Sequence, residues 1–220
     1  FSLTFTLLNV AHASTILLLV LTAILNMVLG LSLPTTAVYI LLAVLVGPAL
    51  TQAGIVPIAA HLFIFYFGML STITPPVCLA AYTAASLAKA DPMKTGWESM
   101  RLGVLAYIVP FIFALSPTLL LIGRWPEVVL SIVTATLGAL VLGVGLVGYL
   151  FRPVGFVRRS LFVVAAIALL TPVVQSGKYA ALTWTLNGIG LLLAAILFAS
   201  EWLARSSSRR APRAVVSTDG

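Results

Sequence analysis

The chain has 220 residues, 61% of them hydrophobic and only 8% charged, against about 45–50% apolar and about 25% charged in soluble domains. That balance excludes an ordinary water-soluble fold and predicts an all-α, polytopic membrane helix bundle. The formal net charge of +7 does not argue for nucleic acid, because the Lys and Arg residues are scattered over loops and a tail; the one cysteine, Cys78, excludes an intrachain disulfide and a Cys-built zinc cage.

The chain opens at Phe1 without a methionine, a charged n-region or a small-residue cleavage site, and reads as a piece of a longer protein. Residues Ser14–Gly30 are apolar, Leu31–Thr36 interrupt them, and Ala37–Leu50 resume the run. The pattern then repeats. Ile55–Ser71 is apolar, Thr72–Pro76 breaks it, and Val77–Ala88 follows as a piece too short to span on its own, since a crossing takes about 20 residues. Asp91 and Pro92 are an N-cap and first-turn pair for a short amphipathic interfacial helix over 91–100. Plainer spans are predicted at Leu102–Ile122, Val128–Phe151, Ser160–Val174 and Tyr179–Leu203. A Ser/Arg-rich tail from Arg205 is expected to be disordered.

The predicted domains are thus 1–122, holding the two interruptions, a membrane extension over 123–204, and a basic tail over 205–220. Ten of the twelve Lys and Arg residues fall on one side: Lys89, Lys94 and Arg101, then Arg152, Arg158 and Arg159, then Arg205, Arg209, Arg210 and Arg213. Arg124 and Lys178 lie opposite, so the crowded side, tail included, is expected in the cytoplasm. Run backwards, this orientation starts the broken helix 55–88 outside. Residues 14–50 are then either a re-entrant hairpin with its tip at Leu31–Thr36 or a broken crossing. The hairpin is preferred, although the uncharged connection Thr51–Gly54 does not decide it.

Each interruption carries the same chemistry. Proline removes a backbone donor and lipid offers no substitute, so the break must sit inside protein or against a polar cavity. The half-helix after it points N–H groups and a dipole end worth roughly +0.5 charge into that space, an anion site without a cationic side chain. Carbonyls before the prolines, with the hydroxyls of Ser32, Thr35, Thr72 and Thr74, offer an oxygen cage for Na⁺. The candidate substrate and ion residues are Gly30, Ser32, Pro34, Thr35, Thr36, Ser71, Thr72, Thr74, Pro75, Pro76 and Val77, with Na⁺ at Gly30, Thr35, Thr72 and Thr74. The plainer alternative is that Pro and Gly only kink packed helices; two similar hydroxyl-rich breaks within about fifty residues weigh against it.

The other polar residues point to structure. His61, inside a predicted helix, is a proton-relay candidate by type, but a hydrogen bond to a neighbouring helix is the preferred reading. Asn9, His12, Asn26 and Asn187 read as interhelical hydrogen-bonding groups. Gly138, Gly143, Gly145 and Gly148 read as close-packing positions, since no strand or phosphate-binding Lys accompanies them. No Asp or Glu lies at membrane depth before Glu201, near a span end. Neither a nucleophile-base pair nor a set of metal ligands is visible, so no enzyme and no cofactor is expected.

The segments Gly30-Leu31-Ser32-Leu33-Pro34-Thr35-Thr36-Ala37-Val38-Tyr39, His61-Leu62-Phe63-Ile64-Phe65-Tyr66-Phe67-Gly68 and Ser71-Thr72-Ile73-Thr74-Pro75-Pro76-Val77 resemble the large membrane subunit of tripartite ATP-independent periplasmic (TRAP) transporters. The similarity runs over about Ser14–Ile122 and looks closest to fused permeases served by a TAXI-type receptor. It implies the second of two inverted repeats, an elevator-like motion driven by Na⁺, and a periplasmic receptor delivering a carboxylate-bearing solute. Ion-binding backbone is implied near Gly30–Thr36 and Thr72–Val77. The expectation is an inner-membrane importer of small organic anions, surrounded by lipid and without a nucleic-acid partner. A passive channel or a non-transporting scaffold is the competing class, and the late spans lack the continuous polar stripe of a channel.

Overall fold

The computed structural model describes residues 14–150, 153–171 and 180–210. Among these residues the regular elements are all α or 3₁₀ helices, and the one β feature is an isolated bridge between Tyr149 and Pro153. The chain divides into two compact units, residues 1–133 and 134–220.

In the first unit, α1 (Thr15–Gly30) is started by the Ser14 side chain, which accepts from the Leu17 N–H. Its buried positions, Leu18, Leu19, Thr22, Ala23 and Asn26, follow the 3.6-residue period of a single inward stripe. α2 (Thr35–Leu45) begins after Pro34, and α3 (Gly47–Gln52) follows a kink at Val46, with a proline in its first turn. α4 (Pro57–Leu70) tightens into a 3₁₀ turn at Ser71–Ile73, and an irregular stretch leads to α5 (Leu79–Ala88). Lys89, in the left-handed region at φ 52°, ends α5.

Asp91 caps α6 (Pro92–Leu102) by accepting from the Lys94 N–H at 2.9 Å. Gly103 alone separates α6 from α7 (Val104–Leu115). α1, α2, α4 and α7 close around one core that includes Leu18, Val38, Leu42, Phe63, Ile64 and Phe113. Phe111 of α7 meets the rings of Phe63 and Phe67 on α4 edge-on, at 5.3 and 5.6 Å between centroids. Helix association in lipid gains little from the hydrophobic effect, so this interlocked packing is what fixes α7 on α4.

α8 (Trp125–Val147) enters the second unit, which also holds α9 (Phe156–Leu170) and α10 (Ala180–Arg210). α9 and α10 approach closely because Gly190 has no side chain: a Cβ there would meet Ala168 Cβ and Leu169 N at 3.0 Å. Arg159 donates to Gly145 O and Leu146 O, both at 2.6 Å, satisfying carbonyls at the end of α8. Arg158 pairs with Glu201 at 2.6 Å, the carboxylate being only 1% exposed.

Among the described residues, three helical stretches are long and apolar enough to cross a membrane, Pro92–Leu115, Trp125–Val147 and Leu182–Glu201. The pieces around the two breaks are shorter, with 16 residues in α1, 11 in α2, 14 in α4 and 10 in α5. None of the four reaches the roughly 20 residues of a full crossing.

Several predicted boundaries move. Thr35 and Thr36 belong to α2, because Pro34 serves as N-cap and the helix starts at once behind it. The expected run Ala37–Leu50 is split at Val46, ahead of Gly47 and Pro48. The span Leu102–Ile122 stops as α-helix at Leu115, because Pro117 forces Ser116 into extended backbone, φ −142° and ψ 102°. α9 starts four residues before the expected Ser160, at Phe156. The tail expected to be disordered from Arg205 is helical to Arg210. Asn9, His12, Arg152, Lys178 and the tail from residue 211 lie outside the described residues.

Candidate functional site

The two interruptions meet at their flanks. A Cβ on Gly30, the last residue of α1, would lie 2.6 Å from Ser71 Oγ and 3.3 Å from Gly68 O. The end of α1 therefore lies directly against the Ser71 side chain and the Gly68 carbonyl, an approach that only glycine permits. At the first residue of α2, Thr35 brings its methyl to 3.7 Å from the position a Cβ on Gly68 would take. Gly30, Thr35, Gly68 and Ser71 thus form one junction. Ser32, Pro34, Thr36 and Pro76 are exposed, whereas Thr72, Pro75 and Val77 are half-buried and Thr74 is buried.

Proline chemistry sorts the carbonyls here. Gly30 O has Pro34 four residues on, which carries no N–H; Thr72 O has Pro75 and Pro76 at the third and fourth positions, so neither helical register offers it a donor. The neighbouring carbonyls are served by side chains. Ser71 Oγ donates to Gly68 O at 2.8 Å, Thr72 Oγ1 to Met69 O at 2.8 Å, and Thr74 Oγ1 to Leu70 O at 2.6 Å. Ser99 Oγ shares its one proton between Ile73 O at 3.0 Å and Gly96 O of its own helix at 2.8 Å, and Tyr82 OH donates to Pro76 O at 2.7 Å.

Thr74 holds a further bond, at 2.6 Å to Tyr107 OH. Its single proton goes to Leu70 O, so Tyr107 donates and one lone pair of Thr74 Oγ1 is left over. In α1 two more oxygens are buried without partners, Thr22 Oγ1 and Asn26 Oδ1. Asn26 Oδ1 lies 4.0 Å from the Gly68 Cβ position, one helical turn before Gly30. Burial without a partner costs about 1–3 kcal/mol per group, a debt that a cation or an ordered water settles. α2 starts without a side-chain cap, and so does α5. The first N–H groups of α2, at Thr35 to Ala37, therefore face outward from an exposed tip.

Asn26, expected to bridge two helices, instead donates its amide to Thr22 O of its own helix at 2.8 Å. His61 does bond a neighbouring helix, through Tyr39 OH at 3.2 Å. Ser99, Tyr82 and Tyr107 were missed. The detectable signal was a lone hydroxyl on otherwise apolar or amphipathic helical faces; its target, a carbonyl freed by proline at a distance in sequence, was not visible. Among the described residues, no cluster of His, Cys, Asp and Glu is placed to hold a metal.

Three apolar stretches long enough to cross, with shorter apolar helices paired around two breaks, are the elements of a multi-pass membrane helix bundle among the described residues. The chain matches the family described as Tripartite ATP-independent periplasmic transporter, DctM component, over residues 1–128; this is more than half of its length, and the chain belongs to that family. Comparisons with curated proteins and with solved structures give no match. The family is a transporter component and not an enzyme, and it works in general with a periplasmic solute receptor and a small component. The matched span covers both interruptions and ends within α8.

Proposed function

We propose that this chain forms half of the ion and solute site of a Na⁺-coupled importer of small organic anions. The single observation behind this reading is the contact of Gly30 with Ser71, which puts two proline-interrupted helices side by side. Na⁺ takes oxygen ligands from Gly30 O, Thr72 O, the free lone pair of Thr74 Oγ1 and Asn26 Oδ1, with Thr35 beside them. The solute carboxylate faces the uncapped start of α2, and the residues Pro75 to Val77 ahead of α5 bound the other side. Adjacent opposite charges favour each other's binding, which is the coupling that a symporter needs.

A TAXI-type receptor delivers the solute from the periplasm, the protein resides in the inner membrane, and the basic C-terminal tail is cytoplasmic. The test is uptake of labelled dicarboxylates and amino acids into proteoliposomes holding the transporter and its receptor. An inward Na⁺ gradient should drive accumulation, and replacing Na⁺ by K⁺ should abolish it. Equal accumulation in K⁺ would remove the Na⁺ coupling, and uptake only of neutral or cationic solutes would remove the anion site.

A further inference from the structure

Positions 96, 99, 103 and 107 recur at helical spacing along one side of α6 and α7, and every one of them meets the break after α4. A Cβ on Gly96 would lie 2.7 Å from Cys78 Sγ and 3.4 Å from Pro75 Cγ. Ser99 Oγ bonds Ile73 O at 3.0 Å, and a Cβ on Gly103 would stand 3.1 Å from Ile73 Cδ1. Tyr107 OH bonds Thr74 Oγ1 at 2.6 Å. Two glycines let this helical edge lie flat on the break, and two hydroxyls fasten it at successive residues.

We infer that this edge is a splint for the break, and that Ser99 and Tyr107 are positioning residues that hold Ile73 and Thr74 in the geometry required by the ion and solute. The assignment to ion binding rests on the function proposed above; the splint itself rests on the contacts alone. The physical reason is local. Between the 3₁₀ turn and α5 the backbone has no continuous helical ladder, so its shape is set by what packs and bonds against it. Tyr107 bonds one proposed ion ligand, Thr74 Oγ1, and Ser99 bonds the carbonyl of the residue before it, so both act on the ion through Ile73 and Thr74.

Cys78 supplies a reporter that does not depend on transport. It is fully buried at the far end of the break, behind Gly96, and loosening the break exposes it. The variants are Ser99→Ala, Tyr107→Phe and the conservative Ser99→Thr, made in the complete transporter. Alkylation of Cys78 by N-ethylmaleimide is followed by peptide mass spectrometry, and the Na⁺ dependence of uptake is measured in parallel. Ser99→Ala and Tyr107→Phe should each speed alkylation and raise the half-saturating Na⁺ concentration by roughly two- to tenfold, the worth of one hydrogen bond. Turnover at saturating Na⁺ and the amount of protein in the membrane should stay unchanged, and Ser99→Thr should behave as the parent. Tyr107→Phe added to Thr74→Val should cause no further loss, since the Tyr107 bond then has no acceptor.

Unchanged alkylation overturns the splint. Faster alkylation with an unchanged Na⁺ curve overturns the positioning role. A parent protein whose uptake ignores Na⁺ overturns the proposed coupling, and the ion-positioning role with it, while the alkylation rates still report on the splint.

Discussion

Gly30→Ala tests the junction at its tightest point. In most helical positions this change stabilises, by about 1 kcal/mol, because alanine loses less backbone entropy on folding. Here the new methyl would sit 2.6 Å from Ser71 Oγ, 2.7 Å from Ser71 Cβ and 3.3 Å from Gly68 O. Ser71 cannot rotate away cheaply, because its Cβ is itself in the way and its hydroxyl is bonded to Gly68 O. Bringing the 2.6 Å contact to an ordinary 3.4 Å requires α1 and the 3₁₀ turn to part by about 0.8 Å. Overpacking of this kind costs about 1–3 kcal/mol and outweighs the propensity gain.

Because the same parting separates Gly30 O from Thr72 O, the half-saturating Na⁺ concentration should rise by roughly fivefold or more, a displacement of a ligand being worth about 1 kcal/mol or above. Gly188→Ala is the control, since a Cβ there meets nothing within 4 Å. The assay is Na⁺-dependent uptake normalised to membrane-inserted protein, together with the thermal midpoint. A Gly30→Ala protein with the Na⁺ curve and midpoint of Gly188→Ala would refute the close junction.

Other outcomes follow from the second unit and from topology. Arg159→Lys should lower the thermal midpoint, because a Lys ammonium cannot fork onto both Gly145 O and Leu146 O, and lost charged hydrogen bonds are worth about 1.5–3 kcal/mol. Arg158→Gln removes a partner from the nearly inaccessible Glu201 carboxylate, while Arg158 itself is 47% exposed; the expected cost, read from chemical or thermal unfolding, is about 1–3 kcal/mol, below the 3–5 of a fully buried pair. Single cysteines placed within 89–101 or 153–159, in a Cys78→Ser background, should resist an impermeant maleimide applied to intact cells; labelling of either stretch would break the ten-to-two charge argument for a cytoplasmic side.

The membrane character and both interruptions were legible because they rest on residue type alone. Pro34, Pro75 and Pro76 cannot donate, whatever surrounds them, and apolar runs shorter than a crossing stay short in any fold. Boundaries were less legible where capping decides them. Thr35 and Thr36 look like loop residues by composition, yet Pro34 presets the backbone for a helix beginning directly after it. Ser116 looks continuous with its apolar span, and only the restriction that Pro117 imposes stops the helix there.

The site's inner geometry was least legible, since Gly30 against Ser71, Tyr107 against Thr74 and Ser99 against Ile73 join residues far apart in sequence. Nothing in residue type marks Tyr107 as the tyrosine that reaches Thr74. Burial of Asn26 Oδ1 without a partner is likewise a property of packing. The pairing of Arg158 with Glu201 was hidden because Arg158 belongs to a cluster that topology already accounted for.

The claim that the paired interruptions bind the coupling cation is tested most directly by thermal unfolding of the purified transporter, without solute, as Na⁺ replaces K⁺ at constant ionic strength. A ligand bound only by the native state adds RT ln(1 + [L]/Kd), about 2.7 kcal/mol at a hundred times Kd. The parent protein should therefore gain stability with Na⁺ and not with K⁺. Thr74→Val keeps the shape of a side chain that is buried beside the break and removes the oxygen. At equal Na⁺ it should forfeit about 1–3 kcal/mol of that gain, corresponding to a roughly five- to hundredfold weaker Kd. Equal stabilisation by Na⁺ and K⁺, or a Thr74→Val protein that gains as much from Na⁺ as the parent, would contradict the account.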